Sequence, residues 1–388
     1  MTAKGEGAWE SVALGEAVEF LDGQRRPVKA TDRARMQGSV PYYGASGIVD
    51  LVNQYIFDEE LILLGEDGEN ILSRVVPLAF KISGKAWVNN HAHVLRTRPD
   101  FDVDYLTAYL ESLDYSGLNS GTAQPKLNKR SCLSIRVMKP PLQEQKRIAA
   151  AILDVNALAH SVEQLIAKKQ AIKQGMMQQL LAGNTPLTTD KSGWTGKPLS
   201  ELCDIRSGAP RRKDTAGANW IVDMGSITRD AKLIVTKRTN DNSGRLIPGE
   251  LVMPKDDIGG GLIIGRTGLI PDTGTYVLAD HVYALTSKGV NPAFLNLAIN
   301  SNRVNMELRS KVTGSAQLGL SRRSVLEQRI TLPNSREEQA AIAAVFADVD
   351  SEIEVIERRL HFTRSIKQGM MQELLTGRTR LAPLGATA

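Results

Sequence analysis

The sequence predicts an α+β protein: two mixed α/β domains separated by two long helices packed as an antiparallel coiled coil, with a pseudo-twofold internal repeat. Three observations predict it. Ile172-Lys-Gln-Gly-Met-Met-Gln-Gln-Leu-Leu-Ala-Gly183 returns as Ile366-Lys-Gln-Gly-Met-Met-Gln-Glu-Leu-Leu-Thr-Gly377, an offset of 194 in a chain of 388 residues. The apolar residues ahead of each block recur at three-four spacing, the period of a helix with one buried stripe. The remaining sequence alternates short apolar runs with Gly-rich turns, the pattern of mixed domains with many loops.

The elements follow in chain order. The first variable domain, 1–142, has candidate strands at Leu61–Leu64, Leu78–Ile82, His93–Arg96 and Leu133–Met138 and a candidate helix at Val103–Leu113. Pro140-Pro141 then stop the last strand, and Glu144 stands in the first turn of a central helix, 143–183, where the helix dipole favours an anion. Ile152, Val155, Ala159, Val162 and Ile166 form an a/d seam along it. The stripe drifts to Ile172, Met176 and Leu180, which predicts a second face or a bend near Gly175, and Gly183 is the stop. The second variable domain, 184–336, has candidate strands at Trp220–Met224, Leu251–Met253, Leu262–Ile264 and Val282–Thr286 and a helix at Pro292–Arg309. A distal helix, 337–377, repeats the first with Phe346, Val349, Ile353, Ile356 and Leu360, then Ile366, Met370 and Leu374, a bend expected near Gly369, and Gly377. A short tail, 378–388, follows. Each helix would be about 57 Å long at 1.5 Å per residue.

The variable domains also correspond, more loosely. Trp9 and Trp194 open them, Asn90-His91 and Asp280-His281 each precede a Val-containing strand, and Gly121-Thr-Ala-Gln124 matches Gly314-Ser-Ala-Gln317. Near-constant helices between diverging domains suggest one duplicated docking surface and two separate binding specificities. The docking candidates are Lys173, Gln174, Met176, Met177, Gln178 and their copies Lys367, Gln368, Met370, Met371, Gln372, since Met adapts well to partner surfaces.

Composition narrows the class. At 42% hydrophobic and 23% charged the chain is an ordinary globular protein with real cores. Its net charge of +5 excludes a histone-like tail but not a local basic surface. Residues 1–194 are balanced and the whole excess lies in 195–388, so two nucleic-acid-binding domains would grip with unequal electrostatic strength. Two cysteines, Cys132 and Cys203, make no disulfide framework and point to a reducing cytoplasm. No apolar run approaches the roughly 18 residues of a membrane span, and no signal peptide is visible.

Catalytic signatures are missing. There is no P-loop, no Gly-x-Gly-x-x-Gly after a strand and no His-Glu-x-x-His. His91 and His93 lack a third metal-ligand type nearby, and the correspondence of His91 with His281 points to a structural role or a DNA contact. Acids at Asp58-Glu-Glu60, Glu66-Asp67, Glu69 and Asp256-Asp257 could imitate a Mg²⁺ nuclease site, but the two halves do not share them position by position. Basic and amide side chains instead cluster in the domain loops. The first domain offers Arg25, Arg26, Tyr42, Tyr43, Ser46, Gln124, Lys126, Lys129 and Arg130. The second offers Arg206, Arg211, Arg212, Lys213, Gln317, Arg322 and Arg323. Arg and Lys neutralise phosphates, while Arg, Asn and Gln read guanine and adenine edges, so these are the DNA-binding candidates.

In this order, twice over, these motifs give the chain a resemblance to the DNA-specificity subunit of bacterial type I restriction–modification enzymes. The motifs are the Trp-x-x-x-x-Leu-Gly/Ser-Glu openings, the Gly-Thr/Ser-Ala-Gln segments, Pro141-Leu-Gln-Glu-Gln145 entering the helix and the Lys-Gln-Gly-Met-Met-Gln ending. The second copy departs from the pattern with Pro333-Asn-Ser-Arg-Glu-Glu-Gln339. The resemblance implies a non-catalytic, cytoplasmic, double-stranded-DNA-binding chain. Each domain would be a target-recognition domain reading half of a bipartite site, and the helices would act as a ruler. Two methyltransferase (modification) subunits would dock on the helices and restriction/translocase subunits would join. S-adenosylmethionine, ATP and Mg²⁺ would sit only on those partners. The half-sites would lie roughly one DNA turn, about 34 Å, apart. The competing reading is a coiled-coil adaptor whose paired domains bind proteins, and a stand-alone Mg²⁺ nuclease using Asp256 and Asp257 is a third.

Overall fold

The computed structural model describes residues 9–121, 124–183, 185–189, 192–257, 260–314 and 318–381. Two continuous helices, Leu142–Leu180 and Arg336–Leu374, stand at the repeat, each of 39 residues. The chain resolves into two compact units that cut across these helices: residues 1–164 with 358–388, and residues 165–357. Each unit therefore holds one variable domain, the first part of one long helix and the last part of the other.

In the first unit, Glu10–Ala13 pairs antiparallel with Arg136–Lys139. A four-stranded sheet runs Val18–Phe20, Ala92–Thr97, Leu61–Gly65, Ala79–Ile82. A second runs Gly47–Val52, Gln37–Gly44, Lys85–Val88, Phe57–Asp58, with its middle pair parallel. Leu61–Gly65 is buried on both faces, which is why it reads as an unbroken apolar run. The second unit repeats the topology. Trp194–Pro198 pairs with Arg329–Pro333, and one sheet runs Cys203–Ser207, Val282–Ser287, Leu251–Pro254, Gly268–Leu269. The other runs Lys237–Thr239, Asn219–Val222, Tyr276–Leu278, Arg245–Leu246, again with a parallel middle pair.

Several sequence expectations shift. Leu133 ends a short helix, Lys129–Leu133, rather than opening a strand, because Asn128 caps that helix by accepting from Ser131 N at 2.8 Å. Leu262–Ile264 is a turn segment, not a strand. The helix expected over Pro292–Arg309 is two, Pro292–Asn300 and Asn302–Ser310, broken at Ser301, whose backbone is extended.

The long helices pair antiparallel within each unit. Glu163 bonds Arg364 in the first. In the second, Lys169 bonds Glu352 and Lys173 bonds Asp350. The expected seam is real: Ile152, Val162, Phe346 and Ile353 are buried, and Val155, Ala159, Ile166, Val349, Ile356 and Leu360 are half-buried. The drift holds at Leu180 and Leu374, which are buried, and at Met176 and Met370, which are half-buried, but not at Ile172 and Ile366, which are 47% and 41% exposed. The covered line continues instead through Lys173 and Thr363. Lys173 is half-buried there, and its ammonium pairs across the seam with Asp350. Both helices pass through Gly175 and Gly369 without interruption.

A lateral helix of each domain docks on this pair. In the first unit Tyr105, from Val103–Ser112, joins Ile148, Ile152, Leu374 and Leu375 in one cluster. In the second, Phe294, Leu295 and Ile299 join Met177, Leu180, Ile342 and Phe346. Each such side chain contributes about 1.5–3 kcal/mol on burial. Gly183 and Gly377 end the long helices at φ of 74°, with Trp194 and Trp9 respectively stacked against them.

Candidate nucleic-acid interface

The Glu-Gln pair that enters each long helix, Glu144-Gln145 and Glu338-Gln339, builds the joint between that helix and its domain. Gln145 is fully buried: its Oε1 accepts from Asp102 N at 2.8 Å, and its Nε2 donates to Pro140 O at 2.8 Å and Asp100 O at 3.1 Å. Gln339 repeats this with Asn291 N and Pro333 O, both at 2.8 Å. Asp102 and Asn291 are the N-caps of the two lateral helices, so one buried amide locks that helix to the start of the long one. Beside it, Glu144 accepts from Arg380 at 2.7 Å and Trp9 Nε1 at 3.3 Å, and Arg380 lies 5.0 Å over the Trp9 ring. The Arg380 hydrogen bond holds the Glu144 carboxyl below the usual carboxylate range. Glu338 holds Leu187 N and Thr188 N at 2.8 Å each.

The sequence-selected residues separate into two groups. Lys129 and Arg130 are exposed on the first domain's short helix, and Arg322 and Arg323 are exposed on the matching helix Arg322–Leu326. Lys129 Nζ lies 5.3 Å over Phe20, and Arg323 pairs with Glu327 at 2.6 Å. Arg26, Ser46, Gln124, Arg212 and Lys213 are also exposed. Lys126 is exposed and lies 3.3 Å from Glu66. Gln317 lies outside the described residues.

Other candidates point inward. Arg25 donates to Glu66 at 2.6 Å and to Ala92 O at 2.7 Å, so it is an internal tie. Tyr42 is a core residue, its hydroxyl accepting from Val28 N at 3.0 Å. Tyr43 packs on Phe80 and burial raises its phenol above the ordinary range. Arg211 has a side chain only 6% exposed, bonded to Asp241 at 2.7 Å and Leu278 O at 2.8 Å. Arg206 bonds buried Glu250 at 2.8 Å. A loop arginine next to an acid of a neighbouring turn is held by that acid, and sequence spacing does not reveal it.

Of the acids considered for a nuclease, Glu59 pairs with Arg96 at 2.7 Å and Glu66 with Arg25, and Asp67 and Asp256, which contrary to the sequence expectation do share a position in the two halves, pair with His91 and His281. Among the described residues no group of three or more His, Cys, Asp or Glu is placed to hold a metal ion. No helix among them is long and apolar enough to cross a membrane. His93 is buried, with Nδ1 2.8 Å from Asp22 and Nε2 3.0 Å from Leu127 O. Burial opposes its charge, but the hydrogen bonds to Asp22 and Cys132 outweigh that and push it up to about 10.

The docking block also divides. Met177 is buried in the second unit's core and Lys173 is paired, so neither offers a free surface. Met176, Met370, Met371 and Lys367 are half-buried, and Gln174, Gln178, Gln368 and Gln372 are exposed. Each block walls a groove against its own domain. One, of about 290 Å³, runs between Gln174, Gln178 and Asn302, and the other, of about 390 Å³, between Gln368, Gln372 and Tyr109.

Two domains of one topology, each carrying an exposed basic helix and joined to a helix pair by the same buried glutamine, define a duplicated recognition protein on a helical scaffold. The family is specific. The type I restriction modification DNA specificity domain matches residues 6–174 and again 191–361, and the chain belongs to that family. A putative type I restriction enzyme specificity subunit of Haemophilus influenzae is 32% identical over 145 residues, a stretch spanning 37% of each chain. The type I restriction enzyme MjaVIII specificity subunit of Methanocaldococcus jannaschii is 24% identical over 97% of this chain and 94% of its own length. In fold, the chain is similar to the type I restriction–modification S subunit of M. genitalium, with a TM-score of 0.64 at 11% identity, covering 96% of this chain and 98% of that one. A chain from a structure on complex assembly and conformational transition of the type I system gives 0.58 at 15% identity, covering 97% and 100%.

Proposed function

We propose that this chain is the DNA-reading subunit of a type I restriction–modification complex, recognising a bipartite duplex target with one half-site per variable domain. The observation that carries it is the recurrence of an exposed basic helix, Lys129-Arg130 and Arg322-Arg323, at the same register of two domains whose other loops differ. A shared basic helix supplies phosphate contacts, while differing loops read different bases. The chain itself performs no chemistry and carries no cofactor. S-adenosylmethionine, ATP and Mg²⁺ act on two modification subunits and on restriction subunits of the assembled cytoplasmic complex. The exposed glutamines of the repeated Lys-Gln-Gly-Met-Met-Gln blocks take the modification subunits, and the long helices set the gap between half-sites.

The test is adenine-methylation mapping in cells carrying the intact gene, a deletion, or a chimera with residues 9–140 exchanged for those of another family member. A bipartite motif should vanish on deletion and change in one half only in the chimera. Retention of the original motif in the chimera refutes the reading. Mg²⁺-dependent cutting by the isolated chain that Asp256→Ala abolishes would instead make it an enzyme.

A further inference from the structure

One feature common to both domains is neither core nor part of the basic helix. His91 Nδ1 lies 2.9 Å from Asp67, and His281 Nδ1 lies 2.6 Å from Asp256. The registers match in detail. His91 O accepts from Glu66 N at 2.9 Å and His281 O from Lys255 N at 3.0 Å. Glu66 O accepts from Leu127 N at 2.8 Å and Lys255 O from Leu320 N at 2.7 Å. The pair thus sits where the turn before the central strand meets the segment that leads into the basic helix.

The surroundings of the two pairs have diverged. Glu66 corresponds to Lys255, buried His93 to Tyr283, and Lys126 to Gly319, yet the histidine and its aspartate remain. Folding does not account for this. The backbone bonds already pin each turn, and although the aspartates are only 20% and 18% exposed, the imidazoles are 50% and 45% exposed, so a contact open to solvent on its histidine side adds little to stability. His281 also keeps its side chain at φ of 63°, a conformation that glycine or asparagine adopts more easily. A group held constant between two domains that read different sequences serves a task that does not depend on sequence.

We propose that each His–Asp pair is a phosphodiester anchor: the aspartate fixes Nδ1–H, and Nε2–H of the imidazolium donates to a DNA backbone oxygen. This rests on the DNA-reading function proposed above. Around His91 the charged groups are Asp67, Glu66, Arg25 and Lys126, with Lys129 and Arg130 farther along the same segment. Around His281 they are Asp256, Lys255, and Asp280, whose carboxylate lies 3.6 Å from Nε2. The first anchor is the stronger, because Asp280 competes with phosphate for the second.

The experiment measures binding of the full chain, assembled with its modification subunits, to a duplex carrying its methylation motif and to a scrambled duplex of equal length, over about 50–300 mM salt. His91→Gln should weaken both duplexes by the same factor, about tenfold, and lower the salt slope by about one. His281→Gln should do the same to a smaller extent. His91→Lys, which keeps a donor cation, should restore the slope, and this holds even if the Gln variant melts lower. Unchanged affinity and slope in both Gln variants, a loss confined to the motif duplex, or failure of His91→Lys to restore the slope overturns the anchor while leaving the DNA-reading function intact. Binding of neither duplex by the parent chain assembled with its modification subunits overturns that function itself.

Discussion

Gln145→Ala should destabilise the first unit more than any single loss of a surface charge. The parent amide is fully buried and makes three hydrogen bonds, to Asp102 N, Pro140 O and Asp100 O. Removing it leaves one buried donor and two acceptors unmet. A lost hydrogen bond costs about 1 kcal/mol net, and a stranded buried group costs about 1–3 kcal/mol. Water entering the small void can satisfy the carbonyls, so the sum is about 3–4 kcal/mol. Gln339→Ala loses only the bonds to Asn291 N and Pro333 O and should cost about 2–3 kcal/mol in the second unit. Urea denaturation followed by hydrogen exchange of the lateral helices reads both. Protection should fall first in Val103–Ser112 for Gln145→Ala and in Pro292–Asn300 for Gln339→Ala. A loss below about 1 kcal/mol in both variants would refute the reading of these glutamines as structural joints.

Other consequences follow from the same geometry. Gly377→Ala should lower thermal stability by over about 1 kcal/mol, since an added Cβ would sit 2.8 Å from the Trp9 ring at a backbone φ of 74°, and an unchanged melting temperature would contradict the packing. Arg130→Glu and Arg323→Glu should each weaken DNA binding and reduce its salt slope without lowering the melting temperature, whereas Arg25→Glu should lower the melting temperature, because Arg25 faces Glu66 rather than solvent. His93 has its charged form favoured in the fold up to about 10, so its contribution to stability is complete below about pH 6.5 and is lost as the pH rises towards 10. Asp22, held below its ordinary value against burial by the His93 and Val94 hydrogen bonds, contributes above about pH 4 and loses this in acid. His93→Gln should therefore flatten the fall in melting temperature between pH 7 and 10, and an equal slope in both proteins would disprove the assignment.

The architecture was legible because its signals are periodic or repeated. The seam through Ile152, Val162, Phe346 and Ile353 follows from helical spacing alone, and Leu61–Gly65 declares a doubly buried strand by its composition. The candidate surface was legible only in part. The exposed pairs Lys129-Arg130 and Arg322-Arg323 stand where the repeat placed them, but Arg25, Tyr42 and Arg211 turn inward. Their partners, Glu66, Val28 and Asp241, lie 41, 14 and 30 residues away, contacts that depend on sheet pairing and loop closure. The His–Asp pairs escaped for the same reason: each histidine was visible, but its aspartate stands 24 or 25 residues earlier on another turn.

The repeated blocks show why some identity in this chain is structural and some is not. The block ending at Gly183 packs on the second domain, and the block ending at Gly377 packs on the first. Each is therefore buried against a different surface: Met177 and Leu180 against Phe294 and Ile342, Leu374 and Leu375 against Tyr105 and Ile148. Divergent surroundings would let the buried positions drift, as volume-conserving exchanges among apolar side chains are tolerated. The exposed positions have even less reason to stay fixed, since surface substitutions are usually close to neutral. Yet Gln174 and Gln178 are matched by Gln368 and Gln372, all four exposed. Identity at exposed positions on grooves of differing walls is what two copies of one docking partner would impose. Gln178→Glu and Gln372→Glu should accordingly each reduce the number of modification subunits bound per chain while leaving the chain's own melting temperature unchanged, and full occupancy in the double variant would sink that account.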